Sequence, residues 1–318
     1  MDGILIVDKP EGWTSHDVVA RARRLLREKR VGHTGTLDPF ATGVLVLLLG
    51  RATRLAQFLS GAEKEYEATI RLGYSTDTGD LTGARRPAAG GSAKDCAAVT
   101  REELEAALAS LRGEVEQTPP MYSAKKVGGK KLYELARRGE EIEREAVRVR
   151  VSEFEIVAHE DGSFMRPNGE GACDVRARVV CSAGTYVRAL AESVGESLGT
   201  GAHLAALRRT RAGEFRIERA VSTEALQRLA EEGGRAEEGA AFLLPLEAAL
   251  PHMPAAHLTA EEARRARHGA AVGAGASAGL CDGARVAMFD ERGALLAVGV
   301  YDAARGLLRP RVTLAAEK

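Results

Sequence analysis

Tyr66-Glu67-Ala68-Thr69-Ile70-Arg71-Leu72 alternates apolar with polar side chains, the period of two of a strand with one buried face, and Tyr66 falls on the inner side. Upstream, Val44 to Leu49 is apolar without a break, which predicts a strand covered on both faces. Between the two, Ala52, Leu55, Ala56 and Leu59 predict a short helix stopped by Gly61. Ile4 to Val7 reads as a further buried strand, and Thr14-Ser15-His16-Asp17 has the spacing of a capping box opening a helix with Val18, Val19, Ala22 and Leu25 inside. Gly32-His33-Thr34-Gly35-Thr36-Leu37-Asp38-Pro39 is too rich in Gly and Thr to be helical and reads as a loop.

Further on, Thr100 and Glu103 cap another helix, Gly129 to Arg138 reads as a basic helix stopped by Gly139, and Val147 to Val151 and Val175 to Cys181 read as strands. Val187, Leu190, Ala191, Val194 and Leu198 have helical spacing up to Gly199. Strands and helices interleave through the first two-thirds, a mixed α and β domain. Arg85 to Ala98 reads as a surface insertion, and Ala230 to Ala241 as a loop or the approach to a boundary. A capped helix at Thr259 to His268 and strands at Arg285 to Phe289, Leu295 to Tyr301 and Arg311 to Leu314 form a small β module, so the boundary is placed at 249/250.

With 318 residues, 45% of them hydrophobic and 28% charged, the chain can bury a sizeable core in two domains. Its 45 basic residues balance its 45 acidic ones, which excludes a uniformly basic coat but not a local basic face. Residues 119–150 carry a net +4 and residues 221–262 a net −6, so charge is segregated; by composition the positive stretch either solvates helix faces or meets the phosphates of a nucleic acid. The apolar run ending at Leu49 is too short to span a membrane and the N-terminus carries no basic leader, so a cytoplasmic location is expected.

The four cysteines, Cys96, Cys173, Cys181 and Cys281, have neither zinc-ligand nor disulfide spacing, and read as isolated reduced thiols; no metal is expected. Ser15-His16-Asp17 names the residues of a hydrolase triad, but neighbours at a helix start cannot converge as that mechanism needs. Gly273 to Gly279 has the wrong spacing for a dinucleotide loop. Asp38 stands apart, as a carboxylate held in a loop between a basic helix and a buried strand.

Asp8-Lys9-Pro10-Glu11-Gly12-Trp13-Thr14-Ser15, the segment Gly32 to Pro39, and Ala41-Thr42-Gly43-Val44-Leu45 closely resemble the pseudouridine synthases of the TruB family. Three more blocks follow in family order. They are Lys64 to Ala68 with Thr76-Asp77-Thr78, Gln117 to Lys125 with Leu132-Tyr133, and Cys181 to Arg188 with Ala202-His203-Leu204 and Leu207-Arg208-Arg209-Thr210. The resemblance is strong over residues 3–220 and weaker in the C-terminal module.

The resemblance implies an α+β fold, a mixed and largely antiparallel sheet followed by a small PUA-like β-barrel that binds RNA, and the conversion of uridine in RNA to pseudouridine without cofactor. Asp38 matches the family nucleophile, Arg188 its charge partner and Tyr66 the ring that stacks on the base; Tyr66 fits a plain core position equally well by pattern. His33 matches the residue that fills the gap left by the extruded base. Tyr186 and Leu207 match positions lining the uracil pocket, and Lys9 a lysine near the site. The implied partner is the T stem-loop of tRNA, modified at uridine 55 by a monomer without guide RNA. Two rivals are a guide-RNA-dependent synthase and an RNA-folding chaperone without catalysis. Val46 stands where the family often has proline and Ser193 where aspartate is common.

Overall fold

The computed structural model describes residues 1–86, 94–123, 125–136, 138–140, 142–169, 171–231, 242–275 and 280–314. The middle of the expected insertion, residues 232–241 of the acidic loop, and residues 276–279 lie outside that set.

The main sheet has eleven strands: β1 (Gly3–Lys9), β2 (Val31–His33), β3 (Thr42–Leu49), β4 (Lys64–Leu72), β5 (Gly113–Gln117), β8 (Val147–Val157), β9 (Arg166–Pro167), β10 (Cys173–Cys181), β11 (Ala202–Ala212), β12 (Phe215–Arg216) and β13 (Val221–Ser222). A separate hairpin pairs β6 (Lys126–Val127) with β7 (Lys130–Lys131). The sheet runs β13-β1-β3-β11-β4-β10-β8-β5, with β2, β9 and β12 on side pairings. Among the described residues of this sheet, only the strand pairs β1 with β13 and β3 with β11 are parallel. The mixed, largely antiparallel α+β architecture is therefore as expected.

Burial explains the two kinds of strand. In β3, Val44, Val46 and Leu48 pack on one face while Leu45, Leu47 and Leu49 pack on the other with Val18, Val19 and Ala22 of α1 (Ser15–Leu25). Both faces are dry, and the sequence there is continuously apolar. In β4, Tyr66, Ala68, Ile70 and Leu72 join a core that includes Val187, Leu190, Ala191 and Val194 of α5 (Val187–Leu198). The opposite face carries ion pairs, Arg71 with Asp174 at 2.7 Å and Arg178 with Glu65 at 2.9 Å.

Helix starts follow the caps. Thr14 accepts from the Asp17 N–H and Asp17 answers with its carboxylate, a reciprocal box. Thr100 with Glu103 does the same for α3 (Arg101–Ser110). The basic helix expected from Gly129 is shorter than its pattern: Gly128 and Gly129, at φ +58° and +82°, turn the β6–β7 hairpin, and α4 spans only Leu132–Ala136. The start of the expected Gly32 loop is a strand, because Val31–His33 pairs with Leu47–Leu49. Cys96 and Cys173 are not isolated: their Sγ atoms lie 2.8 Å apart in the core.

The C-terminal sheet, ordered β14 (Ala255–His257), β16 (Arg285–Phe289), β17 (Leu295–Asp302), β18 (Leu307–Thr313) and β15 (Val272–Gly273), is the PUA-like module. Its helix Ala260–Arg267 is capped by Thr259 and Glu262. β18 begins four residues before the expected start, since Leu307 and Leu308 pair with Asp302 and Tyr301. The module is not a loose appendage. Ala287, Leu295, Val298 and Leu314 share one core with Ile4, Val44, Val46 and Leu48, and Arg54 donates to the Thr313 carbonyl at 2.7 Å. Among the described residues no helix is long and apolar enough to cross a membrane.

Candidate active site

β3 and β11 pair over only two positions, Arg208 with Thr42 and Arg209 with Gly43. At that seam the two halves of the sheet meet, and residues 34–41, which link β2 to β3, carry Asp38. Gly43 permits the contact: at φ +99°, an added Cβ would lie 2.2 Å from the Arg209 carbonyl oxygen. The Arg209 guanidinium, itself buried, donates to Val44 O at 2.7 Å and Gly35 O at 3.0 Å. The loop is also closed by Ala41 N–H to Asp38 O at 3.1 Å and by Gly12 N–H to Pro39 O at 2.8 Å.

Lys9 lies beneath this loop. It is fully buried, and its ammonium donates to the carbonyls of Trp13 at 2.6 Å, Pro10 at 2.8 Å and Pro39 at 3.2 Å. Those three bonds take up its donors. Lys9 therefore ties the Asp38 loop to the chain at Pro10 and Trp13. Burial pushes the ammonium down to about 8, against the pull of Asp38.

Asp38 and Arg188 meet. Arg188 Nε lies 2.9 Å from Asp38 Oδ2; the guanidinium is 4% exposed and the carboxylate 36%, so the pair is anchored on one side and open to a ligand on the other. Arg188 Nη1 donates to Thr78 O and Nη2 to Tyr122 O, each at 2.7 Å, so every guanidinium nitrogen has a partner. The helix carrying Arg188 starts at Tyr186, whose N–H and C=O are both held by the side-chain amide of Gln117, at 2.7 and 3.0 Å. Burial raises the Asp38 carboxyl above its ordinary value, Arg188 opposes that rise, and Asp80 adds to it.

Asp80 was not singled out by its motif. It is buried, 3.8 Å from Arg188 Nη1, with its Oδ1 accepting from the hydroxyls of Thr82 at 2.6 Å and Thr78 at 2.8 Å. The signal for it was the dense polar run Thr76-Asp77-Thr78-Gly79-Asp80, too acidic and hydroxylated for an ordinary connector.

Tyr66 is 8% exposed. Its partner across the ladder is Arg209, and Leu207 pairs with Ala68, so Tyr66 and Leu207 share one face, in the cluster that holds Leu37 and Phe40 of the Asp38 loop. Burial raises the Tyr66 phenol, which stays neutral near pH 7. His33 ends β2, opposite Leu47. Its ring meets that of His16 edge-on at 5.8 Å, and among the described residues its buried Nδ1 has no hydrogen-bond partner. Burial, then His16 and Arg209, lower its basicity, leaving a neutral ring. Among the described residues no group of three or more His, Cys, Asp or Glu could hold a metal.

The chain that carries this constellation is similar to known proteins in sequence and in fold. A family model described as the TruB family pseudouridylate synthase N-terminal domain matches residues 23–187, and one described as the tRNA pseudouridylate synthase B C-terminal domain matches residues 188–251. The tRNA pseudouridine synthase B of Geobacillus kaustophilus is 48% identical over 85% of this chain and 90% of its own. That of Geobacillus thermodenitrificans is 44% identical over 98% of each. Among solved structures, an H/ACA ribonucleoprotein bound to a substrate RNA containing 2′-deoxyuridine superposes with a TM-score of 0.72 at 25% identity, covering 99% of this chain and 85% of that one. An archaeal box H/ACA Nop10–Cbf5 complex gives 0.69 at 27%, covering 98% and 86%. The chain belongs to the TruB family of pseudouridylate synthases.

Proposed function

We propose that this enzyme converts uridine 55 in the T loop of tRNA to pseudouridine, with Asp38 as nucleophile. The observation that carries the reading is the Asp38–Arg188 pair, reachable from solvent and rigidly backed. Asp38 attacks C1′ of the extruded nucleotide and the uracil leaves through N1 with the bonding electrons. The uracil turns against Tyr66, with Leu207 and Tyr186 as pocket walls, and its C5 displaces Asp38 from C1′. The proton lost from C5 is balanced by one gained at N1, so the carboxylate is regenerated and no cofactor is consumed.

Residues 1–249 carry this chemistry, and residues 250–318 are the RNA-binding module. Free operation, without guide RNA, is supported by 48% identity to a tRNA pseudouridine synthase B against 25% to the chain in an H/ACA assembly. A cytoplasmic monomer fits a substrate as accessible as tRNA. The non-catalytic chaperone is disfavoured because a basic surface and a wedge need no buried guanidinium under a carboxylate.

The test is incubation of pure protein with a T-loop transcript, in chelator and without guide RNA, followed by mapping of pseudouridine. Modification at uridine 55 is expected. Modification only when a guide is added, or only at another position, would replace this reading.

His33 is read as the group filling the space of the flipped base, so His33→Ala should slow single turnover by about tenfold on a folded T loop, where unstacking must be compensated. On a flexible RNA whose uridine is already unstacked, the loss should be small. Equal fractional losses on the two RNAs would make His33 an acid or base instead.

A further inference from the structure

Ser15 makes contacts that its place in the sequence does not suggest. Thr14 is the helix cap and Asp17 completes the box, so the first residue of α1 has no capping duty and could be any small side chain. Ser15 is nevertheless 1% exposed. Its hydroxyl accepts from the Leu37 N–H at 2.8 Å and makes its second bond to the Leu37 carbonyl at 3.2 Å.

One hydroxyl thus pairs with both polar groups of a single residue, as a neighbouring strand would. Leu37 is itself buried, and among the described residues its N–H and C=O have no other hydrogen-bond partner. A buried peptide left unpaired is costly enough to move the chain. The other tethers of the loop hold different residues: Arg209 holds Gly35, and Lys9 and the Gly12 N–H hold Pro39. The residue immediately before Asp38 depends on Ser15.

We propose that Ser15 is a positioning residue for Asp38, fixing the Leu37 backbone so that the carboxylate meets Arg188. This rests on the reading of Asp38 as nucleophile. The charged groups acting on Asp38 are Arg188 from α5, Asp80 from the β4–α3 connection and Lys9 from β1; Ser15 adds no charge and works by placement alone. Losing the placement lets the carboxylate drift from Arg188 while the RNA surface stays as it was.

The experiment measures single-turnover rate, tRNA affinity and the titration of the Asp38 carboxyl by carbon-13 NMR in wild type, Ser15→Ala, Ser15→Cys and Ser15→Thr. Ser15→Ala should lose roughly 30-fold in rate, the scale of a sub-ångström misplacement, with affinity within about twofold. Its Asp38 titration should move to higher pH, and Ser15→Thr, which keeps the hydroxyl, should recover most of the rate. Ser15→Cys keeps the volume but weakens both bonds, and gives the same readings if the alanine variant does not fold. Wild-type rate and wild-type Asp38 titration in both weakened variants would overturn the proposal, even with a lowered melting temperature. If wild type itself makes no pseudouridine, the functional reading falls, while the NMR titration still decides whether Ser15 places Asp38.

Discussion

Asp38→Asn should abolish pseudouridine formation, by at least about 10³-fold in single turnover, and leave affinity for T-loop RNA within about twofold. Asparagine has nearly the shape of aspartate and keeps an oxygen for Arg188 Nε, so the 2.9 Å contact has a neutral substitute. What disappears is the anion proposed to attack C1′. Binding should persist because Tyr66, Leu207 and Tyr186, the proposed base-side groups, keep their backbone anchors in β4, β11 and the start of α5. Pseudouridine mapping after single turnover, with a filter-binding titration of the same RNA, separates the two quantities. Activity close to wild type would end the assignment of Asp38 as nucleophile. A parallel collapse of binding would make it an RNA contact.

The strands that frame the site were legible where the burial of both faces, or of one, wrote itself into the residues. β3 is apolar throughout because α1 covers one face and the C-terminal module the other. β4 alternates because only one face is dry. The strand β11, central to the sheet and bearer of Leu207 and Arg209, was not assigned from periodicity. Its sequence Ala202-His-Leu-Ala-Ala-Leu-Arg-Arg-Thr-Arg-Ala is made largely of good helix formers. Pairing with β4 over nearly its whole length overrides that preference, and register shifts at Leu204/Ala206 and Arg209/Arg211 blur any alternation.

The site was legible in part for a similar reason. Asp38 stood out as a carboxylate where the chain could not be helical, and Arg188 and Tyr66 entered by resemblance. Spacing alone could not bring together residues 150 positions apart. The supporting groups were harder to find because their work is done on backbone atoms. Lys9, which entered by resemblance, donates to three carbonyls; Gln117 looked like part of a motif and clamps the Tyr186 peptide. A side chain that serves the backbone leaves no periodic trace.

The second large effect concerns Arg188, and it reads out through pH. Arg188→Gln removes the cation that makes a hydrogen bond to Asp38, leaving burial and Asp80, which favour the protonated carboxyl, opposed by the weaker pull of Lys9. Its titration must then rise above the wild-type value. If Asp38 is the nucleophile it works ionised, so activity is lost as pH falls through that titration, and the acid limb of the rate profile should shift to higher pH. At neutral pH the rate should fall by roughly 10² to 10³-fold, the scale of losing one charged group aimed at a reacting centre. Part of that loss should return on raising the pH, over a range where wild type is flat. Arg188→Lys separates charge from geometry. An ammonium restores the cation but cannot reach Asp38, Thr78 O and Tyr122 O together as the planar guanidinium does. Its acid limb should lie near wild type while its rate stays low. If the limb of Arg188→Gln does not move, Arg188 holds Asp38 in place without governing its charge, and the rate loss of both variants comes from the broken tethers to Thr78 and Tyr122.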